Sequence, residues 1–200
     1  MKIFVLFPAF LASLLSLQQT VRPSNAMQLR QQESVEYIRR SVDFIRQIKQ
    51  LRQVESREST ELKFILSDVA VSLNSNNCLQ QVLADKLFYS EAELTFIEGH
   101  AASRYQWQKT DFPSVKFVKE DTIKAVFRKA FASDRWGYFH EHIGRDFNEF
   151  SMPVFIRNNT FCLFYSANYC GDLCAEGSLR LYKKEGAHWK LVKSYCDWIS

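Results

Sequence analysis

The chain has 200 residues, of which 46% are hydrophobic, 14% aromatic and 24% charged, with a formal net charge of +4. A disordered chain would lack this many aromatic residues, and a nucleic-acid-binding domain would normally be strongly basic, so the composition argues against both classes. The length is typical of a single domain.

The first 26 residues have the layout of a secretory signal peptide. Met1 and Lys2 form a short basic start, residues 3–17 are an apolar run, and residues 24–26 (Ser-Asn-Ala) are a small-x-small cleavage site. A membrane-spanning helix needs about 20 apolar residues, which this run does not provide. The pattern predicts a secreted or periplasmic protein with no stable membrane insertion after signal removal. An uncleaved N-terminal anchor is the alternative.

Residues 33–55 predict an amphipathic helix, because apolar residues recur at spacings of three and four with charges of both signs between them. The apolar stripe suits either the core of the chain or a helix-mediated assembly. In an assembly, the changes Ile38→Lys and Ile45→Lys would convert an oligomer to a monomer. The stripe consists of Val35, Ile38, Val42, Ile45, Ile48, Leu51 and Val54.

The segments that follow are also predicted to be helical. Residues 61–87 have a helical pattern that the polar residues 74–77 interrupt. Ser90 and Glu93 have the spacing of a capping box, so a helix should run over residues 91–102. Two more helices are predicted within residues 119–131 and 133–147. The predicted caps are Asn77 and Ser133, and the predicted stop is Gly144.

After Asn148 the composition becomes that of β-strands. β-Branched and aromatic residues dominate, and residues 158–160 and 185–187 are short enough for tight hairpins. The predicted fold is α+β, with a helical N-terminal half packed on a C-terminal four-stranded antiparallel meander. A single domain is expected over residues 27–200. Its predicted parts are an N-terminal amphipathic helix (27–60), a helical part (61–147) and the β-meander (148–200).

The second predicted strand alternates between two kinds of side chain. Its odd positions, from Phe161 to Tyr169, are mostly large and apolar, and they are predicted to face the core. Its even positions, from Cys162 to Asn168, are predicted to face away from the core.

Five cysteines occur, and an odd number leaves at least one unpaired or bonded to another molecule. Cys170 and Cys174 are the predicted disulfide, because they are close in sequence and glycines beside them let the connection fold back. A Cys162–Cys196 bond is disfavoured, since next-but-one strands lie about 9.6 Å apart, beyond the roughly 7 Å limit between disulfide Cα atoms. Cys78 is predicted to be the unpaired cysteine.

An enzymatic interpretation is the alternative: an extracytoplasmic hydrolase or thiol enzyme would use Cys170 or Cys174 with His140 as base. A thioredoxin-type site needs C-x-x-C at a helix N-terminus, whereas the spacing here is C-x-x-x-C and Asp172 opposes a thiolate. His140 and His142 would face opposite sides of a helix, so no metal site and no cofactor are predicted. The catalytic residues stay unassigned, and a non-catalytic binding or interaction module is the favoured function.

The last two strands interleave cations with aromatic residues, a pattern that suits a protein or glycan partner. Lysines on an exposed strand also discourage edge-to-edge pairing, which is the simpler explanation. The candidate binding surface consists of Tyr182, Lys183, Lys184, Trp189 and Lys190.

Residues 88–200 carry a set of short motifs that recur together in one group of proteins. They are W-G-Y-F-H at 136–140, S-M-P-V-F at 151–155, C-G-D-L-C-A-E-G at 170–177, L-Y-K-K at 181–184, and the closing residues from Trp189-Lys190 to Trp198-Ile199-Ser200. In these the chain resembles uncharacterised secreted bacterial proteins that share a C-terminal CGxLCxxG, LYKK and W-I-S region. The resemblance implies an exported bacterial protein and transfers no activity.

Overall fold

The structure is a computed structural model that describes residues 25–50, 64–128 and 134–200. The predicted signal peptide lies almost entirely outside the described residues, as do Leu51, Val54 and Ser133. Residues Glu36–Ser200 form one compact unit. None of the described helices has the length and apolar character needed to cross a bilayer.

All five helices come before β3 in the described chain, with two short strands between them, and the last five elements are strands of a mixed sheet. The helices are α1 (Asn25–Ile48), α2 (Cys78–Leu83), α3 (Glu91–His100), α4 (Glu120–Arg128) and α5 (Arg135–His142). The strands are β1 (Ile65–Ser67), β2 (Lys116–Val118), β3 (Phe147–Phe150), β4 (Val154–Ile156), β5 (Phe161–Gly171), β6 (Cys174–Glu185) and β7 (His188–Ile199). The strand order is β2-β1-β3-β5-β6-β7, with β4 also paired to β5.

The α+β class is confirmed, but the predicted four-stranded antiparallel meander is wrong, because the sheet has seven strands and is mixed. β4 to β7 do pair antiparallel in chain order. However, β3 also pairs with β5, and β1 runs parallel to both β2 and β3. The additional strands β1 and β2 have only three residues each, too few for a period-2 pattern to emerge from the surrounding sequence.

The central strand β5 is buried on both of its faces, so the predicted outward face is wrong. On one face Leu163 and Tyr165 are buried in a cluster with α2 and α3. On the other face Cys162 and Phe164 are buried beneath α1. Phe44 of α1 covers this second face, and its ring centroid lies 5.1–5.9 Å from four aromatic rings of the sheet. These rings belong to Phe155, Phe164, Tyr182 and Trp189.

The apolar stripe of α1 packs on the sheet of the same chain. Val42 and Ile45 are buried in the cluster around Phe44, and Ile38 packs against it. Because Ile45 is fully covered within the chain, it has no surface to offer to a second copy.

The helix ends follow the predicted signals in part. Ser90 and Glu93 form the predicted capping box, in which each side chain accepts from the backbone N–H of the other residue. Asn77 holds the predicted N-cap position of α2 without a side-chain hydrogen bond, since its φ is 58°. At α5 the cap is Asp134, whose Oδ1 accepts from the N–H of Gly137.

Cys78 is paired with Cys196, so the prediction that Cys78 is the odd cysteine is wrong. Their sulfurs lie 2.07 Å apart, and the free cysteine is the buried Cys162. A β-bulge in β7 explains the pairing, because Cys196 and Asp197 together oppose the single residue Ser178 of β6. Cys196 has a φ of 58° at this bulge, and its backbone N–H donates to the side chain of α2 residue Gln81 instead of the sheet.

Candidate binding site

A cleft of about 490 Å³ opens on the sheet face that carries Tyr165, and we name it the aromatic cleft. Strands β3, β5 and β7 form one wall, α4 and α5 contribute rings from one side, and the β5–β6 hairpin forms the rim. Two carboxylates, Glu149 and Asp172, line the cleft, and no Lys or Arg is found among its described lining residues. The aromatic lining consists of Phe127, Trp136, Phe147, Tyr169 and Trp198.

The rings of the aromatic cleft form a continuous row. Trp136 lies 6.2 Å from Phe147, which stacks on Tyr169 at 4.9 Å, and Tyr169 lies 5.9 Å from Trp198. Phe147 and Tyr169 are directly opposed residues of β3 and β5, so the sheet register itself sets their stacking. The row gives the cleft an extended aromatic wall.

Glu149 places a carboxyl group beside this wall. It lies two residues after Phe147 on β3 and therefore faces the same side of the sheet. Burial raises the pKa of Glu149, and a hydrogen bond from the Tyr169 hydroxyl lowers it. The charge of Glu120 raises this pKa and the charge of Lys124 lowers it. Burial also raises the pKa of Tyr169, as does the charge of Glu149. The ionised form of Glu149 is thus less favoured than that of an exposed carboxylate, and a bound positive charge would favour it.

Trp198 is held in place by two features of the neighbouring strands. Its indole N–H donates to the Tyr165 hydroxyl at 3.3 Å, and the Asn76 side chain donates to the same hydroxyl at 3.1 Å. The indole also lies over Gly177, where an added Cβ would be 2.5 Å from the ring atoms. Glycine at 177 is therefore required by this close approach.

The predicted Cys170–Cys174 pair lies at the rim of the aromatic cleft, with its sulfurs at disulfide distance. Cys170 is the next-to-last residue of β5 and Cys174 is the first residue of β6, so the bond closes a hairpin whose Gly171 and Asp172 line the cleft. The His140 ring contacts the carbonyl oxygen of Cys170 at 3.3 Å. The rim therefore has no free thiol for His140 to activate, which a thiol enzyme would need.

The cations of the predicted binding surface are more exposed than its aromatic residues, although the Lys184 Nζ lies 6.0 Å from the centroid of the Trp189 ring. Tyr182 and Trp189 pack on Phe44 beneath α1, with ring centroids 5.4 and 5.1 Å away. The three lysines of that surface, Lys183, Lys184 and Lys190, are exposed. Lys190 forms a 2.6 Å ion pair with Glu185 across the β6–β7 hairpin. The aromatic members stabilise the core and are only partly accessible to a partner.

The residues that define the aromatic cleft were not singled out from the sequence. Phe147 and Glu149 lie in the short strand β3, whereas the sequence predicts a helix that reaches residue 147 and a β-meander that begins at residue 148. The signal that could have found them is the alternation in DFNEF, residues 146–150, where a carboxylate shares one strand face with an aromatic ring.

Metal chemistry finds no support in the part of the chain that the structure describes, which contains no group of three His, Cys, Asp or Glu side chains able to hold an ion. His142 stacks on Tyr138 at 4.2 Å, away from His140. Comparison with protein-family models, curated proteins and solved structures gives no match, so the function has to be inferred from the site.

Proposed function

We propose that the protein is a non-catalytic binding protein that captures a small organic cation in the aromatic cleft. The observation that carries this proposal is the half-buried Glu149 carboxyl group beside a row of aromatic rings, in a cleft without a described Lys or Arg lining residue. Aromatic faces and carboxylates both attract cations, whereas lysine and arginine repel them.

The shape of the cleft favours an ammonium group that carries alkyl substituents. Its volume of about 490 Å³ lies within the range of small-molecule sites. Alkylated ammonium groups lose little hydration when they enter an apolar site, and they contact ring faces from several sides. Trp136, Tyr169 and Trp198 would supply these faces, and Glu149 the countercharge. Phe147 is buried and would hold Tyr169 in place through their stacking.

Export is the second part of the proposal, and the cysteines support it. Two pairs lie at disulfide distance, and such bonds persist in oxidising compartments outside the cytosol. The Cys170–Cys174 bond would keep the rim of the aromatic cleft in one shape, which reduces the entropy lost when a ligand binds.

The test compares choline with its uncharged isostere 3,3-dimethylbutan-1-ol, by calorimetry and by tryptophan fluorescence of the full chain. We expect choline to bind about ten-fold more tightly or better, since a desolvated cation–π contact contributes about 2 kcal/mol and an ionised carboxylate adds to it. The Glu149→Gln variant should lose most of this preference while it keeps the shape of the side chain.

Glu176→Gln is the matched control, because Glu176 is an exposed carboxylate on the opposite face of the sheet. It should leave choline binding unchanged. The proposal would be overturned if the uncharged isostere bound as tightly as choline, if Glu149→Gln and Glu176→Gln had the same effect, or if only neutral oligosaccharides bound.

A further inference from the structure

A second cleft, of about 360 Å³, lies on the opposite face of the sheet, next to the C-terminal end of α1. We name it the polar cleft. Neighbouring residues of one strand point to opposite faces, so Asn148 lines the polar cleft while the adjacent Glu149 lines the aromatic cleft. The polar lining includes Lys49, Ser166, Asn168, Ser178, Arg180 and Asp197.

Lys49 has an amine in this cleft that no described carboxylate neutralises. It follows the last residue of α1, and its Nζ donates to the Ser166 Oγ at 2.9 Å. The same Nζ lies 5.3 Å from the centroid of the Phe150 ring. In the described residues Lys49 has no carboxylate partner, whereas Asp197 pairs with Arg180 at 3.8 Å and accepts from Ser194 at 2.7 Å.

The surroundings favour the uncharged amine of Lys49. Burial lowers its pKa to about 8, and the charge of Arg180 lowers it too, while Glu176 acts in the opposite direction. Near pH 8 about half of the side chain is therefore a free amine, against less than about 1% for an ordinary lysine. A desolvated lysine beside a second cation is the usual environment of a nucleophilic amine.

We propose that Lys49 is a nucleophilic amine that captures a small 2-oxo acid in the polar cleft as an imine, with Arg180 binding the carboxylate of the acid. Arg180 is suited to this role because its buried Nε–H has no hydrogen-bond partner among the described residues. Planar guanidinium groups bind carboxylates through two parallel hydrogen bonds.

The reaction balances without any further reagent. The Lys49 nitrogen attacks the carbonyl carbon, a C–N bond forms, and the carbonyl oxygen takes a proton that the nitrogen loses. The carbinolamine hydroxyl then leaves as water with a second proton from the nitrogen, and the C=N bond forms. The Ser166 hydroxyl lies 2.9 Å from the nitrogen and can relay these protons.

Ser166 is less suited to be the nucleophile itself. It lies in the middle of β5, opposite Phe150 of β3 and Ser178 of β6, so both edges of the strand are paired. An acyl-transfer serine needs nearby free N–H donors to hold the developing oxyanion, and strand β5 has none to spare at this position. An imine-forming lysine has no such requirement.

The test is reductive trapping on the full chain with pyruvate as probe and cyanoborohydride as reductant, followed by peptide mass mapping. We expect one adduct per chain, on Lys49, formed at least about ten-fold faster at pH 8 than on Lys86, an exposed lysine that serves as reference. Lys49→Met and the charge-preserving Lys49→Arg should both remove the adduct, and Lys86→Met should leave it unchanged.

Two further variants test the separate roles of Arg180 and Ser166. Arg180→Gln should slow trapping of both probes, because its charge no longer lowers the pKa of Lys49, but it should slow trapping of pyruvate more than that of acetaldehyde, which has no carboxylate. Ser166→Ala should still form the adduct on Lys49. The proposal would be overturned by adducts spread evenly over exposed lysines, by equal slowing of both probes in Arg180→Gln, or by labelling of Ser166 with a fluorophosphonate. Thermal unfolding of each variant shows whether it is folded.

Discussion

The aromatic cleft and the polar cleft lie on opposite faces of the same strands but have opposite chemistry. Glu149 and Tyr169 face the first, whereas their chain neighbours Asn148 and Asn168 face the second. The first has carboxylates and aromatic rings without a described cation. The second has two cations, Lys49 and Arg180, beside two carboxylates, Glu176 and Asp197, and several hydroxyl and amide groups. Strand alternation alone can therefore give one sheet two binding chemistries, provided that helices cover both of its faces.

Trp198 is the point where the two clefts meet, since it lines both of them. It follows the bulge at Cys196 and Asp197, where β7 leaves its regular alternation. The two disulfides also differ in which part of the clefts they lie beside. The Cys78–Cys196 bond holds the bulge, whereas the Cys170–Cys174 bond belongs to the rim of the aromatic cleft alone.

The largest expected effect follows from removal of the bond at the bulge. The double change Cys78→Ala and Cys196→Ala should lower the free energy of unfolding by up to about 5 kcal/mol, because the bond spans 118 residues and restricts the unfolded chain. The double change Cys170→Ser and Cys174→Ser should cost about 2 kcal/mol or less, because that loop is short. Urea unfolding followed by circular dichroism measures both.

Removal of the Cys170–Cys174 bond should affect ligand binding in one cleft and not in the other. Cys170→Ser with Cys174→Ser should weaken choline binding several-fold and leave trapping at Lys49 unchanged, since the hairpin lines only the aromatic cleft. Equal changes in both measurements would show that the hairpin serves the sheet as a whole.

Gly177→Ala should lower the free energy of unfolding by less than loss of the Cys78–Cys196 bond does, and it should affect both clefts. The new Cβ would collide with the Trp198 indole, and overpacking of this kind costs about 1–3 kcal/mol. Both choline binding and Lys49 trapping should change, because Trp198 lines both clefts. Gly99→Ala in α3 is the control, with open space around the added Cβ and an expected gain of about 0.5–1 kcal/mol.

The smallest effects are those of pH, and they have opposite signs in the two clefts. The pKa of Glu149 is raised, so its contribution to stability is present at low pH and is lost as pH rises through its folded value above 4.5. The pKa of Lys49 is lowered to about 8, so stability rises as pH increases from about 8 towards 10.5.

Binding and trapping should report the same two groups. Choline affinity should increase with pH through the pKa of Glu149, and trapping at Lys49 should increase through about 8. Glu149→Gln should flatten only the first profile. A single midpoint shared by both profiles would contradict the separation of the clefts.

The sequence was informative wherever a local signal dictates structure. The Ser90–Glu93 capping box and the positions of the two hairpins are examples, because each depends on residues a few positions apart. Features that depend on distant partners were missed. The cover that Phe44 gives to β5 and the pairing of Cys78 with Cys196 both depend on where α1 and α2 dock, which no local pattern specifies.

Both clefts were missed for the same reason. Glu149 and Lys49 are ordinary charged residues in the sequence, and only the fold places them, partly buried, beside aromatic rings and beside Arg180, respectively. The hairpin at Cys170–Cys174 was recognised from its spacing, but its position at the rim of a cleft depends on β3 and α5, which come from separate parts of the chain.

The unpaired cysteine, Cys162, bears on how the chain forms its disulfides. Cys162 is completely covered beneath α1, and burial raises its pKa, so its sulfur stays a protonated thiol that cannot attack either bond. Once the sheet and α1 have assembled, thiol–disulfide exchange is therefore closed to this residue, and the two pairings are fixed. Before assembly the same thiol can compete with the other four, so we expect early cover of β5 to favour correct pairing.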